Sequence, residues 1–255
     1  MTFGVAIISI FLLPNHPLKT TWLTPEEREL AHQRIVRDTV GMEENKGARA
    51  GFMQAIRDPR LYLFCLMQNL HLSACGFNNF FPTVIGSLGF SRPITLALTC
   101  PPYLVSGVAG GLTSGKLNER TWHITLSMGI AAVGFIISCI TLNTGARYFS
   151  CFLFASGAYA VNSVILGWVS ATLGQTREKK AISLSIVNVV ANASYIYTPY
   201  LYPKTDGPKY LTAMSANTAF AVGTIACAWG LRIWLIRTNK KNRGDGITSV
   251  LAYAY

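Results

Sequence analysis

His71 is the one ionisable residue near the middle of a long apolar stretch. Around it, and in two later stretches, stand neutral hydrogen-bonding side chains: Gln68, Asn69, Asn78 and Asn79, then Tyr159 and Asn162, then Asn188, Asn192 and Tyr195. Amides and phenols donate and accept without charge, so this set suits recognition of carboxylate and amide groups. His71 has two readings. Imidazole titrates near physiological pH and can carry a proton or draw in an anion; a neutral His bonded to a neighbouring helix only packs. Each Asn or Tyr likewise has an interhelical hydrogen bond as its plainer role, but together they point to a polar cavity. Bond-breaking chemistry has no set of residues: there is no His-Glu-x-x-His, no pair of carboxylates within an apolar stretch, and no phosphate-cradling glycine loop with its Lys. No enzyme activity, cofactor or metal is expected.

The elements that must position these residues are six stretches near Leu61–Ile85, Ile94–Gly115, Trp122–Leu142, Tyr148–Leu173, Ala181–Tyr202 and Leu211–Ile236, none containing Asp, Glu or Lys. Each has the roughly 20 residues that a helix needs to cross a bilayer. Polar groups inside such helices face the bundle interior by default. Phe3–Leu13, ending at Pro14, reads as the truncated end of another span. A signal peptide does not fit it, because no basic segment precedes it and no small-residue cleavage site follows. Charged residues make up only 13% of the chain, against about 25% in soluble proteins.

The net charge of +11 would suggest nucleic acid in a soluble protein, but its distribution gives another answer. With Pro14–Arg60 inside and sides alternating, the inner face holds eight Lys/Arg before the first full span. It also holds Lys116 and Arg120, then Arg177, Lys179 and Lys180, then Arg232, Arg237, Lys240, Lys241 and Arg243. Only Arg92, Arg147, Lys204 and Lys209 fall outside, at the outer surface. Cytoplasmic loops carry this excess because positive charge resists translocation, so membrane lipid headgroups, and no nucleic acid, are the expected partners of the basic residues. Trp168 and Tyr197, near span ends, read as interfacial anchors. All six cysteines lie inside spans and read as small apolar residues.

Thr24-Pro25-Glu26-Glu27 combines an N-cap, a proline at the first helical position and a capping-box acid, predicting an amphipathic helix to about Val40 with Leu30, Ile35 and Val36 on its apolar edge. Gly41–Ala50 reads as a linker. Asp58-Pro59 repeats the cap-then-proline start at the first full span. Gly107, Gly111 and Gly115 recur every four residues, a smooth face for close helix packing, and Pro101-Pro102 in the same span predict a kink.

Trp22-Leu23-Thr24-Pro25-Glu26-Glu27-Arg28, Asp58-Pro59-Arg60, Asn79-Phe80-Phe81-Pro82-Thr83-Val84-Ile85 and Leu88-Gly89-Phe90 together resemble the major facilitator superfamily. More closely, they resemble the fungal allantoate permease branch of the anion:cation symporters, and the resemblance covers about Phe3 to Asn242. It implies an all-α membrane protein: the six-helix carboxy-terminal bundle of a twelve-span fold, plus the end of span six and the central cytoplasmic loop. The corresponding division is 1–13 span end, 14–60 loop, 61–236 transport bundle and 237–255 cytoplasmic tail. It implies an amino-terminal six-helix bundle as partner, and substrates such as allantoate, nicotinate or pantothenate, carried with protons by alternating access across the plasma membrane. Spans seven, ten and eleven line the cavity in that superfamily, which places His71, Asn78, Asn79, Tyr159, Asn162, Asn188, Asn192 and Tyr195 at the substrate.

Gly115-Lys116-Leu117-Asn118-Glu119-Arg120 resembles the superfamily's signature loop, with Glu119 where Asp is commoner and His123 where a basic residue is usual. By that resemblance Gly115, Glu119 and Arg120 form a cytoplasmic latch; an ordinary positive-inside loop is the plainer reading. Two further functional readings stay open: a non-transporting fragment, and an exporter of a biosynthetic-cluster metabolite. The charge count yields a direct expectation, that tags at Gly41 and Asn242 both lie on the cytoplasmic side. Protease protection placing either tag outside overturns the topology.

Overall fold

The computed structural model describes residues 20, 23–38, 47–86, 89, 91–113 and 119–244, without the side chains of 34–38, 92, 106–113 and 242–244. Phe3–Leu13, Gly115 and the tail beyond Gly244 lie outside the described residues, as does the packing around Gly107 and Gly111. Among the described residues the chain is helical, with no strand.

Two helices precede the bundle, α1 (Pro25–Asp38) and α2 (Ala48–Arg57). The capping box of α1 forms as read: Thr24 N donates to Glu27 Oε2 at 2.9 Å and Glu27 N donates to Thr24 Oγ1 at 3.3 Å. These bonds to Thr24 hold the Glu27 carboxyl below its usual range. Helix α2 replaces part of the expected linker. Its signal was the small-residue pair Gly51 and Ala55 at i, i+4, which lets α2 lie close against a neighbour: a Cβ on Gly51 would stand 2.6 Å from Glu178 Cβ.

The first expected span is a composite. Helix α3 (Pro59–Ala74) tightens into a 3-10 turn at Cys75–Phe80 and resumes as α4 (Phe81–Gly86). Helix α5 (Arg92–Thr113) contains Pro101 and Pro102. Helices α6 (Arg120–Ile140) and α7 (Thr144–Thr172) form an antiparallel hairpin. Helix α8 (Arg177–Asn192) continues through α9 (Ser194–Tyr197) and a 3-10 turn at Thr198–Leu201, and α10 (Leu211–Gly244) closes the bundle. Among the described residues four runs are long and apolar enough to cross a membrane: Arg120–Ile140, Thr144–Thr172, Arg177–Leu201 and Leu211–Lys241. Several helices overrun the apolar stretches that announced them, because backbone hydrogen bonding continues past the last apolar residue where a polar cap closes it. Asn143 Oδ1 accepts from Ala146 N at 3.1 Å, and Thr176 Oγ1 accepts from Lys179 N at 3.0 Å.

Polarity runs opposite to that of a soluble domain. Leu126, Val133, Ile140 and Ile196 are exposed, whereas Gln68, His71, Asn217 and Thr224 are buried. An exposed apolar surface of this extent suits lipid contact. Two apolar clusters stack along the bundle. One centres on Phe64, Met67, Ile165, Trp168 and Leu231, the other on Phe77, Phe81, Phe135, Phe154 and Met214. Trp168 is therefore no interfacial anchor: it is fully buried, edge-on to Phe64 at 5.7 Å. Arg147, near the start of α7, is buried on the same side as the connection before α10, 3% exposed and donating to the Pro208 carbonyl at 2.6 Å.

Helices α6 and α7 approach most closely at glycines. A Cβ at Gly134 would lie 2.8 Å from Phe154 N, and one at Gly157 would strike Ser127 O and lie 2.8 Å from Ala131 N. A Cβ at Gly129, on the same hairpin, would meet nothing within 4 Å. Gly157→Ala is thus expected to cost about 1–3 kcal/mol by overpacking, while Gly129→Ala costs nothing. Thermal denaturation of both variants in detergent checks the difference.

Candidate functional site

Helices α3 and α8 run parallel, and two contacts give their register. At their starts Lys179 Nζ donates to Asp58 Oδ2 at 2.8 Å; further along, Asn69 Nδ2 donates to the Val190 carbonyl at 2.8 Å. Both pairs are 121 residues apart in sequence, so the two helices keep step over eleven residues, about 16 Å. Asp58 also caps α3, accepting from Arg60 N at 3.1 Å and from the Arg60 guanidinium at 2.8 and 2.7 Å. Its side chain is only 7% exposed. Burial pushes the Asp58 carboxyl up, but the hydrogen bonds and charges of Arg60 and Lys179 outweigh that and hold it at about 2.

Thirteen residues beyond each member of the ion pair, α3 and α8 reach His71 and Asn192. There a cavity of about 240 Å³ opens, lined by His71, Leu72, Cys75, Asn78, Tyr159, Asn162, Asn188, Asn192 and Tyr195. It lies at the seam between the two apolar clusters, where the 3-10 turn begins and where α8 gives way to α9. Seven of the eight residues read from the sequence as substrate contacts meet here. The exception is Asn79, exposed and outside the lining. A 3-10 turn has three residues per turn, so neighbours differ by about 120°, and Asn78 and Asn79 cannot face the same space.

Among the described residues no Lys, Arg, Asp or Glu lines the cavity. His71 is 1% exposed, and its Nε2 lies 2.8 Å from the Ala158 carbonyl. A carbonyl only accepts, so Nε2 carries the proton and donates. Nδ1 is buried without a hydrogen-bond partner among the described residues, and a second proton there would place uncompensated charge in an apolar interior. Of the two sequence readings, the geometry is that of a neutral imidazole tied to α7. Asn162 Oδ1 accepts from Gln68 Nε2 at 2.7 Å, and Asn192 Nδ2 donates to the Asn188 carbonyl at 2.8 Å. Tyr159 stands edge-on to Phe77 and Tyr103. The tyrosines and amides thus form a wall of uncharged donors and acceptors able to hold a polar solute. Tyr197, expected as an interfacial anchor, is exposed and also ties α9 to α3: its hydroxyl donates to Asn69 Oδ1 at 2.8 Å and meets Ser73 Oγ at 2.6 Å.

Of the latch residues, Gly115 lies outside the described residues. Glu119 is exposed at the start of α6 with no side-chain cap bond. Arg120 reaches α7, donating to the Gly167 carbonyl at 3.3 Å. Sequence reasoning saw Asp58 only as a cap and missed its partner Lys179. The missing signal was the matched position of an acid and a base, each at the first turn of a separate helix.

Comparison with known proteins agrees with this architecture. Residues 1–199 match the family model for the Major Facilitator Superfamily. The chain is 27% identical over 255 residues to the MFS-type transporter efuF of Hormonema carpetanum, covering 96% of this chain and 51% of that protein. It is 26% identical over 254 residues to the major facilitator-type transporter hxnP of Emericella nidulans, with the same two shares. It is 29% identical over 264 residues to the MFS transporter prlL of Fungal sp., covering 98% and 52%. The chain therefore spans about half the length of these curated relatives. No solved structure matches.

Asp58→Asn leaves Lys179 buried beside a neutral amide, and is expected to destabilise the α3–α8 contact by about 3–5 kcal/mol. Because the Asp58 carboxyl is depressed, its contribution is present above the ordinary value of 3.8 and lost as pH falls through about 2. Thermal denaturation of both proteins should therefore show a gap that is constant near neutral pH and closes over that acid range. A gap independent of pH contradicts the assignment.

Proposed function

The chain belongs to the major facilitator superfamily, and from that premise we propose that it forms the carboxy-terminal bundle of a carrier for a small organic anion, driven by protons and working by alternating access. The observation that carries this reading is the cavity of about 240 Å³, where seven uncharged polar side chains from separate helices meet inside an otherwise apolar, multi-pass membrane bundle. His71, Asn78, Tyr159, Asn162, Asn188, Asn192 and Tyr195 contact the substrate. Allantoate, nicotinate, pantothenate or a similar carboxylate of the allantoate permease branch is the cargo, and the membrane is the plasma membrane, with the 14–60 loop and the C-terminus cytoplasmic. Support for the branch comes from the motifs quoted above.

The neutral lining gives each half of such a carrier a different task. Amide and phenol groups here bind the substrate's uncharged atoms and accept its shape. The carboxylate finds its positive partner in an amino-terminal six-helix bundle, and the relatives' double length is compatible with that arrangement. The coupling proton travels on a group other than His71, whose imidazole stays neutral. Arg120, bonded to the Gly167 carbonyl, and Glu119 belong to the inner gate with Gly115.

Uptake of labelled allantoate, nicotinate and pantothenate into vesicles tests the reading. The chain is assayed alone and together with an amino-terminal bundle, with and without a proton gradient. Gradient-dependent accumulation of one of them is the expected result. No uptake in either form makes the chain a non-transporting fragment, and transport only outward makes it an exporter. Asn162→Ala and Asn188→Ala should each raise the half-saturating concentration roughly three- to tenfold, the worth of one hydrogen bond. His71→Gln, which keeps a donor for the Ala158 carbonyl, should leave the pH profile in place. A shifted profile identifies the imidazole as the titrating group and overturns its neutral role.

A further inference from the structure

Helix α6 packs chiefly against α7 and α10, away from the α3–α8 pair and the polar cavity. Its outward face forms one wall of a second space, a groove of about 490 Å³ running from Trp122 through Gly129 to Val133, with Leu153 of α7 opposite. The lining recurs at helical spacing and is apolar apart from Thr125, whose Oγ1 accepts a bond from Trp229 Nε1 at 3.2 Å and donates to the Thr121 carbonyl at 2.8 Å. Gly129 makes the trough, since no atom lies within 4 Å of where its Cβ would be. Eleven residues from Trp122 to Val133 rise about 16 Å, close to half of a hydrocarbon core of about 30 Å, so the groove has the depth of one leaflet.

One end of the groove is built differently from the rest. Trp122 and Trp229 meet edge to face at 5.2 Å, and the Arg232 guanidinium lies 5.5 Å from the centre of the Trp229 ring. Two tryptophans with a cation beyond them form the usual transition from hydrocarbon to headgroup. Arg237, Lys240 and Lys241 follow Arg232 on α10, so the field at this end is strongly positive. In the orientation set by the basic loops this is the cytoplasmic leaflet, where anionic phospholipids reside.

We infer that this groove seats one acyl chain of an anionic phospholipid, with the headgroup phosphate held at Arg232. The apolar walls suit an acyl chain rather than a peptide or polar solute, and the cationic end favours an anionic headgroup over an uncharged one. The inference rests on the chain lying in a membrane with its basic loops cytoplasmic, and not on any cargo, so its failure leaves the transport proposal untouched.

The test uses the intact chain in vesicles of phosphatidylcholine doped with photoactivatable phosphatidylserine or with phosphatidylcholine carrying the same reactive acyl chain. Peptide mass spectrometry maps the cross-links. Phosphatidylserine should label residues 122–133 about fivefold more than phosphatidylcholine does, the worth of one cation near an anionic headgroup. Arg232→Gln should remove that preference and Arg232→Lys should keep it. Gly129→Phe, which fills an open trough without touching the α7 contact, should abolish labelling by both lipids. Equal labelling by both lipids in the native chain makes the groove an unselective part of the lipid annulus and overturns the inference. Labelling that spares 122–133 overturns it as well.

Discussion

A buried ion pair at the start of two helices sets the geometry on which the cavity depends. Asp58 and Lys179 meet at 2.8 Å where α3 and α8 both begin, and each helix then rises in parallel to the point where its polar residues face the cavity. A pair of charges this poorly exposed is a weak source of net stability, because desolvation consumes much of the Coulombic gain. Its value lies in register: one carboxylate accepts from the α3 backbone, from Arg60 and from Lys179, so neither helix can slide by a turn without stranding a charge. The Asn69–Val190 bond repeats the same offset nearer the cavity.

Where the helices reach the cavity, both lose regular α geometry. The first tightens to a 3-10 turn at Cys75, and the second breaks between Asn192 and Ser194. Irregular backbone at membrane depth is tolerated where it is buried in protein or lines a cavity, and both breaks satisfy that condition. The tighter turn also separates Asn78 from Asn79, leaving one in the cavity and the other outside it. The neutral character of the site follows from the same economy. Uncharged amides, phenols and a singly protonated imidazole can be buried with hydrogen-bond partners, whereas a lone charge there would be costly.

The two spaces on this bundle obey opposite chemical rules for one physical reason. On the inside, polar side chains find partners on adjacent helices, as Gln68 finds Asn162. On the outside, lipid is the solvent, so α6 presents Leu126, Ile130 and Val133, and the cations of α10 stand at the end of the groove. Close packing between α6 and α7 rests on Gly134 and Gly157, which let the backbones approach as membrane helices do when no water drives them together.

Much of this was legible without coordinates. The apolar stretches, the cap signals at Thr24 and Asp58, and the helical class all follow from local rules: a backbone in lipid must satisfy its own hydrogen bonds, and a helix start needs an acceptor. The set of polar residues that would share a cavity was also readable, because a polar group deep in a span has few places to go. Tertiary structure alone decided which of them face it. It separated Asn78 from Asn79, buried Trp168 and Arg147, joined Tyr197 to Asn69, and turned His71 toward the Ala158 carbonyl. Those outcomes depend on the rotation and register of whole helices, and register was settled by contacts such as Asp58–Lys179 between residues 121 positions apart, a distance over which no local pattern in the chain carries information.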